Sequence, residues 1–255
     1  MTTTAIDKGQ FLPQHQLIYK NVGSERPMRV VLGGSGSGTT IAVLLEHSQK
    51  QISPLWVIRA LFTDRETSKI CELGKRYNVE VVCISFLKFQ KTLCTGPNTS
   101  SELLEKTRIL FHQKIIESLH AKGIVCDVVG LAGYMRIVPP TFINHFGKAV
   151  INSHPADPRE YKGMNTVMDA LQAGRTKTRS AIHCVTEGVD EGQVLVLGKH
   201  VDYTEGAPVT AEKANRHQDK QKKESDYGAY IAALDAIAKG AVGFEGPIID
   251  LDVNE

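Results

Sequence analysis

The chain has 255 residues, 42% of them hydrophobic, enough to bury the core of one large domain or one domain with appendages. A formal net charge of +2 supplies no field strong enough to draw it to nucleic acid or to a membrane surface. Five cysteines (Cys71, Cys83, Cys94, Cys126 and Cys184), odd in number and without a C-x-x-C pair, exclude a disulfide framework or zinc ribbon and read as buried thiols in a reducing compartment. No apolar stretch approaches a membrane span, and the start Met1–Lys8 lacks the apolar core of a secretory signal, so the cytoplasm is expected.

Residues 1 to about 27 are polar and carry no clear period, and are expected to extend outside the fold. From Met28 a repeating pattern begins. Arg29-Val30-Val31-Leu32 is a short apolar run, followed by glycines and a helical stretch from about Thr39 to Gln51. Leu55–Phe62 predicts a second strand, with a helix near Glu66–Tyr77 after it. Val79–Ile84 predicts a third, and a polar loop around Gln90–Ser100 leads to a long helix from Ser101 to about Lys122. Val125–Leu131 and Ala149–Asn152 predict strands four and five. Strands alternating with helices of this length mean βαβ units and a parallel sheet. After Asn152 the pattern changes: Ser180–Val185 and Gln193–Leu197 flank a Gly-Val-Asp-Glu-Gly turn, which predicts an antiparallel pair added to the sheet. Val209 to Lys239 predicts a long helix whose charged first half, Glu212 to Asp226, reads as a solvated face. The expected fold is α/β, a doubly wound, mostly parallel sheet with an antiparallel addition and a C-terminal helix, forming a single domain over 28–255.

Gly33-Gly34-Ser35-Gly36-Ser37-Gly38-Thr39-Thr40 sits where the first strand gives way to the first helix. Backbone N–H groups there, aided by the positive end of the helix, make an anion site. The run has the spacing of a P-loop without its lysine, and it misses the third glycine of the dinucleotide fingerprint, although Asp64 follows the second strand where a ribose-binding acid would be sought. A single phosphate ester needs neither missing residue. The bland alternative is a tight turn without a ligand, but four glycines and two serines exceed what such a turn requires.

Asn152 and His154 lie two residues apart on a strand, so both side chains leave the same face, and Pro155 ends the strand. Asp190 occupies the turn between the antiparallel strands. Each residue alone has an ordinary structural explanation. Together they can hold an oxyanion and move a proton, and the carboxyl end of such a strand is where open α/β sheets place ligands, the edge to which the glycine loop also belongs. The combination suggests transfer of an acyl-type group without a covalent intermediate.

Leu131-Ala132-Gly133-Tyr134-Met135-Arg136-Ile137-Val138, Ile151-Asn152-Ser153-His154-Pro155, Tyr161-Lys162-Gly163, Ile182-His183 with Val185-Thr186, and Val189-Asp190 with Gly192 appear in order between about Met28 and Gly240. On these motifs the chain resembles the phosphoribosylglycinamide formyltransferases, a branch of the 10-formyltetrahydrofolate-dependent formyltransferase superfamily with a Rossmann-like fold. The resemblance implies that the amine of 5-phosphoribosylglycinamide attacks the formyl carbon of 10-formyltetrahydrofolate, a step of de novo purine biosynthesis. Asn152 would hydrogen-bond the formyl oxygen, His154 would act as general acid and oxyanion stabiliser, and Asp190 would favour the imidazolium and help relay the proton. Gly36, Ser37, Gly38, Thr39 and Thr40 would hold the substrate phosphate. Met135, Arg136, Ile137 and Val138, with Asn152, would line the folate pocket. His183 and Glu224 would stand behind the site. The substrates would be small molecules, without metal, nucleic acid or membrane, and a homodimer is compatible with the resemblance.

The chain departs from the family's pattern in several places. Ala156-Asp157-Pro158-Arg159-Glu160 is polar where an apolar run is usual, Asn165 and Ser225 replace histidines, Gln193 replaces a proline, and Lys220, Lys222 and Lys223 make the last helix more basic. These loosen the inference about the acceptor amine. Alternatives are a formyltransferase for a sugar nucleotide or initiator methionyl-tRNA, a 10-formyltetrahydrofolate hydrolase, a binding protein without catalysis, or a dinucleotide-dependent oxidoreductase. The expectation is that the roughly 15 residues after Gly240 cannot supply the extra domain of the tRNA enzymes. The hydrolase is not expected, because its relatives begin with a regulatory domain that the residues before the motifs do not resemble; the intact trio disfavours the binding protein, and the imperfect fingerprint the oxidoreductase.

Overall fold

The computed structural model describes residues 12–94 and 100–253. The chain forms two compact units, Pro27–Val150 and, in the other, Ile151–Glu255 with Met1–Arg26.

The first unit alternates strand and helix: β1 (Met28–Gly33), α1 (Thr39–Lys50), β2 (Trp56–Thr63), α2 (Ile70–Tyr77), β3 (Glu80–Cys83), α3 (Phe86–Leu93), α4 (Ser101–Ala121), β4 (Val128–Leu131) and α5 (Pro140–His145). Its strands run parallel in the order β4-β1-β2-β3. Val30, Val31 and Leu32 of β1 and Val128 and Val129 of β4 are wholly buried, as a strand covered on both faces requires. Side chains of Ser85 and Ser100 cap α3 and α4 by accepting from Lys88 N and Leu103 N. In α4 the buried Thr107, Phe111, Ile115 and Leu119 recur every four residues and turn one stripe inward. The start of α2 lies at Ile70, not near Glu66, because residues 65–69 make a turn whose Ser68 Oγ and Lys69 N both donate to Gly36 O. The first part of the expected polar loop is helical as α3, while residues 95–99 lie outside those described.

The second unit begins within β5 (Val150–His154), at Ile151, and continues through α6 (Thr166–Gln172), β6 (Lys177–Thr178), β7 (Ala181–Cys184), β8 (Val194–Leu197), β9 (Val201–Asp202), α7 (Ala211–Gln221), a π-helical turn (Lys222–Asp226), α8 (Tyr227–Ala238) and β10 (Ile249–Asp250). β7 pairs antiparallel with both β5 and β8, and β10 runs parallel to β8. The expected antiparallel addition and C-terminal helix are therefore present, and the architecture is α/β.

Three expectations need correction. Residues 12–26 do not extend outside the fold: Leu17, Ile18 and Tyr19 are buried, Leu17 bridges Gly243, and Phe244 N donates to Gln16 O. Residues 1–11 lie outside the described range. The helix expected over 209–239 is interrupted by the π turn, and its charged half is not simply solvated, since Ala214, His217, Gln221, Ser225 and Asp226 are buried. Of the cysteines only Cys184 is buried and Cys83 is exposed. Burial nonetheless pushes the Cys126 and Cys184 thiols up to about 12, which makes them unreactive.

Candidate active site

The β5–β7 ladder sets Asn152 opposite His183 and His154 opposite Ala181. The two-residue alternation sends both the amide and the imidazole to one face. His183 is 2% exposed, and its Nδ1 lies 2.8 Å from Cys184 O, which can only accept, so Nδ1 carries the proton. Burial lowers the pKa of His183 against the opposing pull of Asp190 and keeps the ring neutral. Its Nε2 is then an acceptor, and Asn152 Nδ2 donates to it across 3.3 Å. That bond fixes which way the Asn152 amide faces and leaves its second N–H for a ligand.

His154 is buried, and its Nε2 donates to Tyr161 O at 3.0 Å. Its Nδ1 lies 3.5 Å from Asp190 Oδ2. Only the doubly protonated ring offers an N–H to both acceptors. The contact at Nδ1 is looser than the one at Nε2, so Nδ1 is the nitrogen that can turn its proton to a substrate oxygen. Asp190 adopts a left-handed φ of 54°, and Gly163 N donates to its Oδ2 at 3.0 Å. A Cβ at Gly192 would come within 1.7 Å of Cys184 O, so the turn carrying Asp190 closes only with glycine there. The three residues singled out from sequence thus converge within one unit.

In the other unit the glycine loop caps α1 without any side chain: Gly38 is the N-cap at φ 65° and no side-chain bond replaces it. The first-turn N–H groups of a helix have no partner within the helix, which leaves an anion seat at its start. Gly36, Ser37 and Thr39 are exposed, while Gly38 and Thr40 are buried. The carbonyl of Gly36 is held by Ser68 and Lys69, and Ser35 Oγ accepts from Met135 N. The loop's shape is therefore fixed by protein groups on its acceptor side.

Met135 and Ile137 are 66% and 54% exposed, so neither is core packing, whereas Val138 is buried. Arg136 is not a plain surface charge: its Nε donates to Asp64 Oδ2 at 2.7 Å and its guanidinium lies 4.1 Å from the centre of the Phe86 ring. Asp64 has no side-chain exposure, so it cannot serve a ribose, which removes the acid on which a dinucleotide reading would rest. Beneath this loop, Tyr134 Oη donates to His112 Nε2, and burial pushes His112 down to about 4. Glu224 is half exposed, and its carboxylate lies 3.9 Å from Lys220 Nζ. The sequence shows Tyr161-Lys162-Gly163 as a motif but gives no role to its backbone groups, and it signals neither the pairing of Asp64 with Arg136 nor the part of Gln221. Among the described residues, no helix is long and apolar enough to cross a membrane.

The formyl transferase family model matches residues 28–233. A phosphoribosylglycinamide formyltransferase from Haemophilus influenzae is 26% identical over 133 residues, covering 52% of this chain and 59% of that protein. The bovine trifunctional purine biosynthetic protein adenosine-3 is 32% identical over 139 residues, covering 54% of this chain and 13% of its own. The matched segment thus spans less than two thirds of either relative. Among solved structures, glycinamide ribonucleotide transformylase 1 from Symbiobacterium toebii superposes with a TM-score of 0.68 at 26% identity, covering 88% of this chain and 95% of that one. The chain belongs to the formyl transferase family.

Proposed function

We propose that this protein transfers the formyl group of 10-formyltetrahydrofolate to the amine of 5-phosphoribosylglycinamide. The observation that carries the reading is the Asn152–His154–Asp190 cluster, with an amide turned by neutral His183 and a ring nitrogen facing a carboxylate. The amine nitrogen bonds to the formyl carbon, the carbonyl electrons move onto oxygen, and the C–N10 bond then breaks as N10 takes up a proton. The free N–H of Asn152 and the Nδ1–H of His154 stabilise the developing oxyanion, each such donor being worth about 3–4 kcal/mol. Asp190 balances the imidazolium and passes the ammonium proton onward, a transfer worth about 10²–10⁴ in rate. Gly36 to Thr40 bind the phosphate monoester through backbone N–H groups, and the exposed Met135 and Ile137, with the backbone of Arg136 and Val138, take the pterin.

The acceptor is tested by comparing 5-phosphoribosylglycinamide with its dephosphorylated riboside while following the appearance of deformylated folate. A much lower kcat/KM for the riboside supports the reading. Equal turnover of both, of a sugar-nucleotide amine, or of water would replace it by another member of the superfamily.

A further inference from the structure

The end of α7 carries a buried polar device that the chemistry described so far does not use. Gln221, 1% exposed, is the last residue of that helix and abuts the π turn. Its Nε2 donates to Pro155 O at 2.8 Å and to Ser180 Oγ at 3.1 Å. Its Oε1 accepts from Thr178 Oγ1. The hydroxyl of Thr178 has one proton, given to Gln221, so it accepts in turn from His217 Nε2 at 2.8 Å. In the π turn, Ser225 Oγ accepts from Ser180 N at 3.0 Å, and a Cβ at Gly198 would stand 2.3 Å from that same oxygen. Single π turns inside helices often mark functional sites.

Pro155 is the residue after His154. Proline cannot donate to a ladder, so the strand ends there, and its carbonyl, on a partly buried residue, takes a donor from elsewhere. Gln221 is that donor. The loop that starts at Pro155 also supplies the two backbone groups that fix the acid–base pair, Tyr161 O at His154 and Gly163 N at Asp190. We propose that Gln221 is a positioning residue: by anchoring the entry of the 155–163 loop, it sets the orientation of the His154 ring and the Asp190 carboxylate. Both ends of the carboxamide are needed. Glutamate would turn an acceptor toward Pro155 O, and leucine would leave Pro155 O without this donor and the Thr178 hydroxyl proton without its acceptor.

This inference rests on the proposed reaction, so its test has an arm that does not need turnover. In the kinetic arm, Gln221→Leu is expected to lower kcat about 10- to 100-fold while KM for both substrates stays within about twofold, because misplacing a catalytic group costs rate and not binding. The pH–rate profile is expected to move as well, which a loss of folded enzyme would not produce. Thr178→Val should behave likewise and Thr178→Ser should restore the rate. In the second arm, long-range ¹H–¹⁵N spectra of the His154 ring in Gln221→Leu should show the Nε2–H signal shifted or exchanging faster than in the unsubstituted protein. If Gln221→Leu does not fold, Thr178→Val and Gln221→Asn carry both arms. Unchanged kcat and an unchanged His154 ring spectrum in folded variants would overturn the proposal. Absence of any His154-dependent turnover in the unsubstituted protein, with a ring spectrum that still responds to Gln221, would instead overturn the proposed reaction and leave the positioning role standing.

Discussion

The glycine loop of Gly33–Thr40 and the strand corner carrying Asn152 and His154 arrive at their geometry by opposite means. The loop is made of backbone: its N-cap is a left-handed glycine, and the carbonyl of Gly36 is gripped by neighbours. The corner is made of side chains, each oriented by an acceptor or donor on another segment: Asn152 by His183, His154 by Tyr161 O, Asp190 by Gly163 N. A backbone site tolerates change in most side chains but not in the space before it. A side-chain site fails when any one of its partners is removed.

The largest effect expected from this contrast is on the corner. Asn152→Ala should lower kcat by about 10²–10³ with acceptor binding near normal, the usual loss for one oxyanion donor. A fall in binding without a fall in kcat would make Asn152 a ground-state contact. Next come two glycines that separate room for the fold from room for a ligand. Gly192→Ala drives a methyl into Cys184 O and should cost about 3 kcal/mol or more in a denaturation curve. Gly36→Val starts from open space, since a Cβ at Gly36 would meet nothing within 4 Å. It should leave the melting temperature unchanged and raise KM for the phosphorylated acceptor about 10-fold by filling the seat of the anion. If Gly36→Val were also destabilising, the loop would be a structural turn and not a binding site.

A smaller effect concerns the unit that bears the glycine loop. The unfolded chain protonates His112 near 6.5, the folded chain only at about 4. Stability from this group is therefore complete above pH 6.5 and is withdrawn as the pH falls toward 4, by about 1.4 kcal/mol per pH unit within that window. Denaturation between pH 4 and 7 should show this slope, and His112→Gln should flatten it. An equal slope in the variant would place the titrating group elsewhere.

What could be read without coordinates follows the same division. The strands of the parallel unit were legible because both faces are buried, so Val30-Val31-Leu32 and Val128-Val129 read as unbroken apolar runs. The pair Asn152 and His154 was legible because strand alternation alone puts them on one face. Gln221 was not. It belongs to a stripe of Ala214, His217, Gln221 and Ser225 that has helical spacing but almost no hydrophobicity, and such a stripe looks the same as a solvated face until its hydrogen bonds are seen. The burial of Leu17, Ile18 and Tyr19 was hidden for a related reason, since three adjacent apolar residues in a polar stretch have no period. Asp64 was visible as an acid after β2, but only its lack of exposure and its bond to Arg136 decide that it fastens a loop and does not read a sugar.

The central claim is that the His154 ring, poised between Tyr161 O and Asp190, delivers a proton during formyl transfer. The direct measurement is a single-turnover reaction with [¹³C]formyl-labelled 10-formyltetrahydrofolate and 5-phosphoribosylglycinamide, comparing the unsubstituted protein with His154→Ala at saturating concentrations of both. The account predicts a labelled formamide product whose rate of formation falls about 10³-fold or more in the variant, with both ligands still bound. Equal rates in the two proteins would contradict it.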